Sequence, residues 1–227
     1  MTEPRRPSVI AHRGASGHAY ENSPAAFRRA VALGADGVEL DIHATADGAL
    51  LVHHDPEVRG LGPISTLPRS AFLSYRLPNG EPIPTLAEAL ALCAGLAVWV
   101  EVKTLPPDCD AVLLETLDAG PTPGRYAVHG FDHRIVERLG ERRPGLQRGV
   151  LLASYLLDTL TVLRTAGAHT LWMETHLIDQ ALVDLVHSAG GQIISWTAND
   201  DAEIRRLIRL GVDGICGNYP DRITSAL

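Results

Sequence analysis

Eight side chains in the first half of the chain can move protons, hold cations or neutralise anions, and they come in pairs: His12-Arg13, Glu39 with Asp41, His53-His54, and Glu101 with Lys103. Glu39 and Asp41 are two residues apart, as are Glu101 and Lys103, the spacing that puts side chains on one face of a strand. His53 and His54 are adjacent, so in a continuous strand they face opposite sides and at most one serves a shared site. Charged groups inside apolar stretches such as "DGVELDI" and "LAVWVEVK" are costly unless paired or bound to metal. Glu39, Asp41 and Glu101, with no cysteine beside them, describe a site for a hard divalent cation, Mg2+ or Ca2+, rather than for zinc. The competing account is a buried ion-pair network, Lys103 with Glu101 or Arg13 with Asp41. That account leaves the histidines without a role.

The elements that position these groups alternate along the chain. "SVIAH" reads as a strand and "SPAAFRRAVALG" as a helix, with Ser23 as its cap, Pro24 opening it and Gly34 closing it. "DGVELDI" is the second strand, and "ALLVHHD" an extra strand joined to it through "TADG". Residues 56–84, rich in proline and glycine, break the rhythm as an inserted excursion within a single domain of residues 1–227. Strand and helix then alternate to the end, with Gly167, Gly190 and Gly211 again at helix ends. Eight apolar strands interleaved with helices predict an α/β fold with a closed parallel sheet, a (β/α)8 TIM barrel carrying a small insertion after the second strand region. A doubly wound open sheet is the alternative, but the first strand–helix turn lacks a G-x-G-x-x-G. In such a barrel the C-terminal strand ends carry the chemistry. Here they present His12, Arg13, Glu39, Asp41, His54, Glu101, Lys103, His129, Glu174, Trp196 and Asn218. The other histidines, His43 included, are expected to have surface or capping roles.

Composition narrows the partners. Twenty basic against 27 acidic residues give a net charge of −7, which excludes a phosphate-tracking nucleic-acid surface but not a local cluster for one phosphate ester. Cys93, Cys109 and Cys216 suit neither a disulfide framework nor a zinc site. The opening "MTEPRRP" is not followed by an apolar run of leader length, and no run is long enough to insert stably in a membrane. These features predict a cytoplasmic protein that acts on a small molecule. The oligomeric state is not legible.

The residues together resemble the glycerophosphodiester phosphodiesterase family. The resemblance rests on "HRG…EN…AAF", "GADGVELDIHATADGALLVHHDP", "IPTLAEAL", "VEVK", "SWTAND" and "LGVDGICGNYPDRI", and so spans nearly the whole chain. It implies metal-dependent hydrolysis of a glycerophosphodiester to glycerol 3-phosphate and an alcohol, with a cyclic phosphate as intermediate when the glycerol 2-hydroxyl is the nucleophile. It also implies His12 and His54 as the acid–base pair, Glu39, Asp41 and Glu101 on the cation, Arg13 and Lys103 near the phosphate, and Trp196 lining the pocket. Two departures from the family pattern, Tyr20 for proline and Gly217-Asn218 for Thr-Asp, are expected to alter the rim without touching the proton shuttle. Related alternatives are a lysophospholipase D or sphingomyelinase D-like activity, which calls for an apolar groove, and non-catalytic binding of a phosphate ester.

Overall fold

The computed structural model describes residues 6–227; residues 1–5, part of the opening stretch read above, lie outside the described residues. The strands are β1 (Ser8–His12), β2 (Gly37–Ala44), β3 (Leu50–Val52), β4 (Glu57–Val58), β5 (Gly62–Pro63), β6 (Ala97–Thr104), β7 (Tyr126–Gly130), β8 (Gln147–Leu152), β9 (Thr170–Glu174), β10 (Gln192–Trp196) and β11 (Gly214–Gly217). Eight of them, β1, β2 and β6 to β11, run parallel in the order β1-β11-β10-β9-β8-β7-β6-β2, and β1 pairs back onto β2 to close the ring. The chain folds as a (β/α)8 barrel. β3 lies antiparallel on the outer part of β2, as the turn "TADG" predicts.

The helices are α1 (Pro24–Ala32), α2 (Leu86–Leu92), α3 (Asp110–Ala119), α4 (His133–Arg142), α5 (Thr159–Thr165), α6 (Gln180–Ser188), α7 (Asp201–Leu210) and α8 (Pro220–Ala226). Their starts follow from capping chemistry. Ser23 accepts from the Ala26 N–H, Thr85 and Glu88 form a reciprocal capping box, and Asp132, Asp158, Asp179 and Asp200 cap the helices that follow them. The cap at Asp158 starts α5 at Thr159. Leu157 is left fully exposed ahead of it.

The interior of the ring is filled below its mouth by Ile10, Trp99, Ala127, Leu151, Trp172, Ile194 and Cys216. Alternation along each strand then directs the next inward residues, His12, Glu101, His129 and Trp196, to the mouth. The excursion between β3 and α2 has its own small core of Val58, Ile64, Phe72, Leu77 and Ile83, seated on Leu51 of β3. It is anchored by the Val52 N–H to Pro84 C=O bond and by the Arg69 N–H, which donates to Asp47 Oδ1. Its apolar residues are therefore mostly spent on its own packing, with only Leu61 and Leu73 among the large ones exposed.

Candidate active site

Three adjacent strands bring the carboxylates together. Register places His12 beside Glu39 and Asp41 beside Glu101. One oxygen from each of Glu39, Asp41 and Glu101 lies within 4.8 Å of the others, and all three side chains are buried. The ion pairs weighed in the sequence are present as well: Lys103 Nζ lies 2.6 Å from Glu101 Oε1 and 3.0 Å from Asp41 Oδ1, and Arg13 Nε lies 3.3 Å from Asp41 Oδ2. The two readings describe one cluster. Three buried carboxylates face two cations, and the remaining charge shows in their protonation. Burial, then Asp41 and Glu101, pushes Glu39 well above the ordinary carboxylate range. Burial, then Asp41, holds Glu101 at about 7. Burial also raises Asp41, but Lys103 and Arg13 prevail and hold it at about 2.

The turn after β1 is shaped to present Arg13. Arg13 and Asn22 both have left-handed backbones, with φ of 54° and 53°, a conformation that costs free energy in a non-glycine residue. The Asn22 N–H donates to Arg13 C=O, and Asn22 Nδ2 donates to Asp41 Oδ2 at 2.7 Å. The Arg13 N–H donates to Glu39 Oε2 at 3.0 Å, while its guanidinium donates to Glu21 at 2.8 Å. Gly14 has a positive φ, and a Cβ there would lie 2.7 Å from the Ala26 backbone. Only glycine fits where this turn meets α1.

His12 has one free nitrogen. Its Nδ1–H donates to Asn218 Oδ1 at 2.7 Å, and Nε2 faces Glu39 Oε2 at 3.9 Å. Burial, then Arg13, lowers its pKa to about 4, so the imidazole is neutral at pH 7. The Asn218 contact corrects the expectation that the Gly217-Asn218 departure spares the shuttle. Asn218 is its immediate partner, because closure of the ring sets β11 beside β1.

His54 lies two residues beyond the end of its strand. β3 ends at Val52, so alternation does not by itself separate the two histidines, and both are half-buried. Their partners differ: His53 Nδ1–H donates to the Asp55 carbonyl, whereas His54 Nδ1 pairs with the Asp55 carboxylate at 2.8 Å, leaving Nε2 free. Among the described residues no hydrogen bond or ion pair joins His54 to the carboxylate cluster. His43 was read as peripheral, yet it is buried and donates Nε2–H to the His54 carbonyl at 3.0 Å, with Nδ1 on the Thr104 hydroxyl. Its signal was parity, since it shares a face with Glu39 and Asp41. His129 is buried beneath the site, 4.2 Å from the Trp172 ring centroid, with Nε2 3.9 Å from Glu39 Oε1. Trp196 stands at the mouth against Phe131, ring centroids 5.6 Å apart. Glu174 pairs with His176 instead of joining the cluster.

The glycerophosphoryl diester phosphodiesterase family model matches residues 12–222. This chain belongs to that family. It is 32% identical to a glycerophosphodiester phosphodiesterase of Caldanaerobacter subterraneus, over 95% of each chain. A glycerophosphodiester phosphodiesterase of Bacillus subtilis is 26% identical, the match covering 97% of this chain and 86% of that protein. The structure of an Oleispira antarctica phosphodiesterase in complex with the product sn-glycerol-3-phosphate superposes with a TM-score of 0.91 at 25% identity, covering 97% of this chain and 96% of that one.

Proposed function

We propose that this phosphodiesterase-family protein hydrolyses glycerophosphodiesters to sn-glycerol 3-phosphate and an alcohol, with Mg2+ or Ca2+ held by Glu39, Asp41 and Glu101 and with His12 and His54 as acid and base. The observation that carries this reading is the buried carboxylate triad beside an imidazole whose Nε2 is unprotonated and free. The residues fit a hard cation: the donors are all carboxylate oxygens, and their crowding raises Glu39 and Glu101 in its absence. Bound there, a divalent cation supplies Lewis-acid stabilisation of charge on a phosphoryl oxygen. The relative bound to glycerol 3-phosphate supports the substrate class.

Arg13 and Lys103 offset the diester's charge and hold the phosphoryl group. His12 Nε2 takes the proton of the substrate's glycerol 2-hydroxyl as that oxygen attacks phosphorus. The bond to the departing alcohol breaks, and its oxygen receives a proton from His54, whose ring is held through Nδ1 by the Asp55 carboxylate. Water then opens the cyclic phosphate with the two histidines exchanging roles. An oriented intramolecular hydroxyl gains an effective molarity of roughly 10⁵ M or more. Trp196 forms the wall along the organic part of the substrate.

The test is a panel of glycerophosphodiesters with Mg2+, Ca2+ or excess chelator, products identified by 31P NMR. Cation-dependent release of glycerol 3-phosphate is expected, and full turnover in chelator refutes the cation's role. Binding without turnover on any diester leaves the non-catalytic alternative. One observation favours lysophospholipids as a second substrate class: Phe131, Tyr155 and Leu157 are exposed on the loops after β7 and β8. The panel therefore includes a lysophosphatidylcholine.

A further inference from the structure

At the end of β8 farthest from the mouth, Arg148 turns outward into the layer between the strands and helices α4 and α5. Among the described residues its side chain makes no ion pair or hydrogen bond, and its Nε is buried without a partner. The space for it is built into the sequence: a Cβ at Gly140 of α4 would lie 1.1 Å from Nη1, and one at Gly167, just after α5, 3.0 Å from Nη2. Arg148 lines a cavity of about 470 Å³ together with Arg164, His169 and Gly191, and no acidic side chain contributes to its wall. Among the described residues the Arg164 guanidinium hydrogen-bonds to the Thr161 hydroxyl of its own helix alone, at 2.7 Å. In a chain of net charge −7, an acid-free cavity holding two guanidiniums and an imidazole is notable. Burial alone lowers the Arg148 pKa, with no neighbouring charge to offset it. A half-buried guanidinium with no counter-charge beside it is a group that an anion in the cavity can pair with.

We propose that this cavity binds a small oxyanion of the phosphate class, inorganic phosphate or the phosphate of a small monoester, on Arg148 and Arg164 with His169 at its edge. Two guanidinium forks and an imidazole offer more donors than one planar carboxylate accepts, whereas a tetrahedral phosphate uses them. The four steps of β8 from Arg148 to Leu152, at about 3.3 Å each, put this cavity roughly 13 Å or more from the mouth, so its ligand is not the diester being cleaved. The competing account is that the cations serve only the nearby C-terminal turns of α4, α5 and α6, whose carbonyls favour positive charge.

The proposal is tested by titrating the 15N-labelled protein, in chelator, with inorganic phosphate, sn-glycerol 3-phosphate and acetate at matched ionic strength. The Gly167, Ala168, His169 and Gly191 amides should shift saturably with phosphate and with the monoester but not with acetate. In Arg148→Met those shifts should vanish, while the Gly14 and Asn218 amides at the mouth respond as in wild type and diester turnover stays within about twofold. Absent shifts in wild type, shifts unchanged in Arg148→Met, or an equal response to acetate each overturn the proposal. Should Arg148→Met fail to fold, Arg164→Gln replaces it. Phosphate affinity at the same amides must then fall several-fold, and an unchanged affinity is equally decisive against the site.

Discussion

A histidine tied to an amide oxygen is a different base from one tied to a carboxylate. Asn218 fixes the His12 tautomer without adding negative charge, so burial and Arg13 keep the imidazole unprotonated down to about pH 4. Asn218→Ala should lower kcat by about 5- to 100-fold with KM little changed, matching the loss of one buried hydrogen bond of about 1–3 kcal/mol. Asn218→Asp adds a charge that favours imidazolium, and should move the acid limb of the kcat/KM profile to higher pH. An unmoved limb would detach Asn218 from the base. The carboxylates shift the other way: with Glu101 at about 7 and Glu39 also raised well above the ordinary carboxylate range, cation uptake displaces protons. Calorimetry of Mg2+ or Ca2+ binding at about pH 6, in two buffers of different ionisation enthalpy, should show net proton release and an affinity that rises with pH. Glu101→Gln should release fewer protons and bind more weakly. Equal heats in both buffers would contradict the assignment.

At the scale of elements, the excursion after β3 is a small folded unit resting on the strand that delivers His54. Phe72 sits at the centre of its core, 3% exposed. Phe72→Ala should cost the excursion about 3–5 kcal/mol of local stability through a cavity it cannot refill. Because few of its contacts reach the barrel interior, the loss should appear as faster hydrogen exchange and proteolysis within residues 56–84, with β2 and β6 still protected. KM for a glycerophosphodiester should rise if the excursion closes over the head group. Simultaneous loss of protection in β2 and β6 would make the excursion part of the barrel's cooperative core.

At the scale of the whole molecule, the site is a cost that a ligand relieves. In the cation-free protein Glu39 and Glu101 hold protons above the ordinary carboxylate value of 4.5. His12, His43 and His129 are shifted downward and contribute in the opposite sense, but only below about pH 6.5, where the unfolded chain protonates its histidines. Above that pH the raised carboxylates act alone. The native chain then binds more protons than the unfolded one, so stability falls as pH rises. The Tm of the cation-free protein should decline between about pH 6.5 and 8, and a saturating divalent cation should reverse the decline. Glu101→Gln should raise the cation-free Tm at the upper end of that range while weakening cation binding, the exchange of function for stability expected at a strained site. A cation-free Tm that rises over this window would show that the carboxylates are not crowded.

Local pattern determined most of the architecture. The alternation of strands and helices, the caps, and the shared faces of Glu39 with Asp41 and of Glu101 with Lys103 depend on backbone periods and side-chain chemistry within a few residues. The strand-end rule then carried His12, Arg13, Glu39, Asp41, Glu101 and Lys103 to one mouth, and the structure joins the last five by hydrogen bonds and ion pairs and sets His12 Nε2 3.9 Å from Glu39. Tertiary structure alone decided which groups complete them. Asn218 reaches His12 across 206 residues because the last strand closes the ring against the first. Asn22 reaches Asp41 because a left-handed turn folds the β1–α1 loop inward. His43 has only its parity with Glu39 and Asp41, and His129 only its place at a strand end, to mark them in the sequence; burial under the mouth made one a support for His54 and the other a floor for Glu39. The unpaired Arg148 was silent, since a missing counter-charge is visible only once every neighbour has a place.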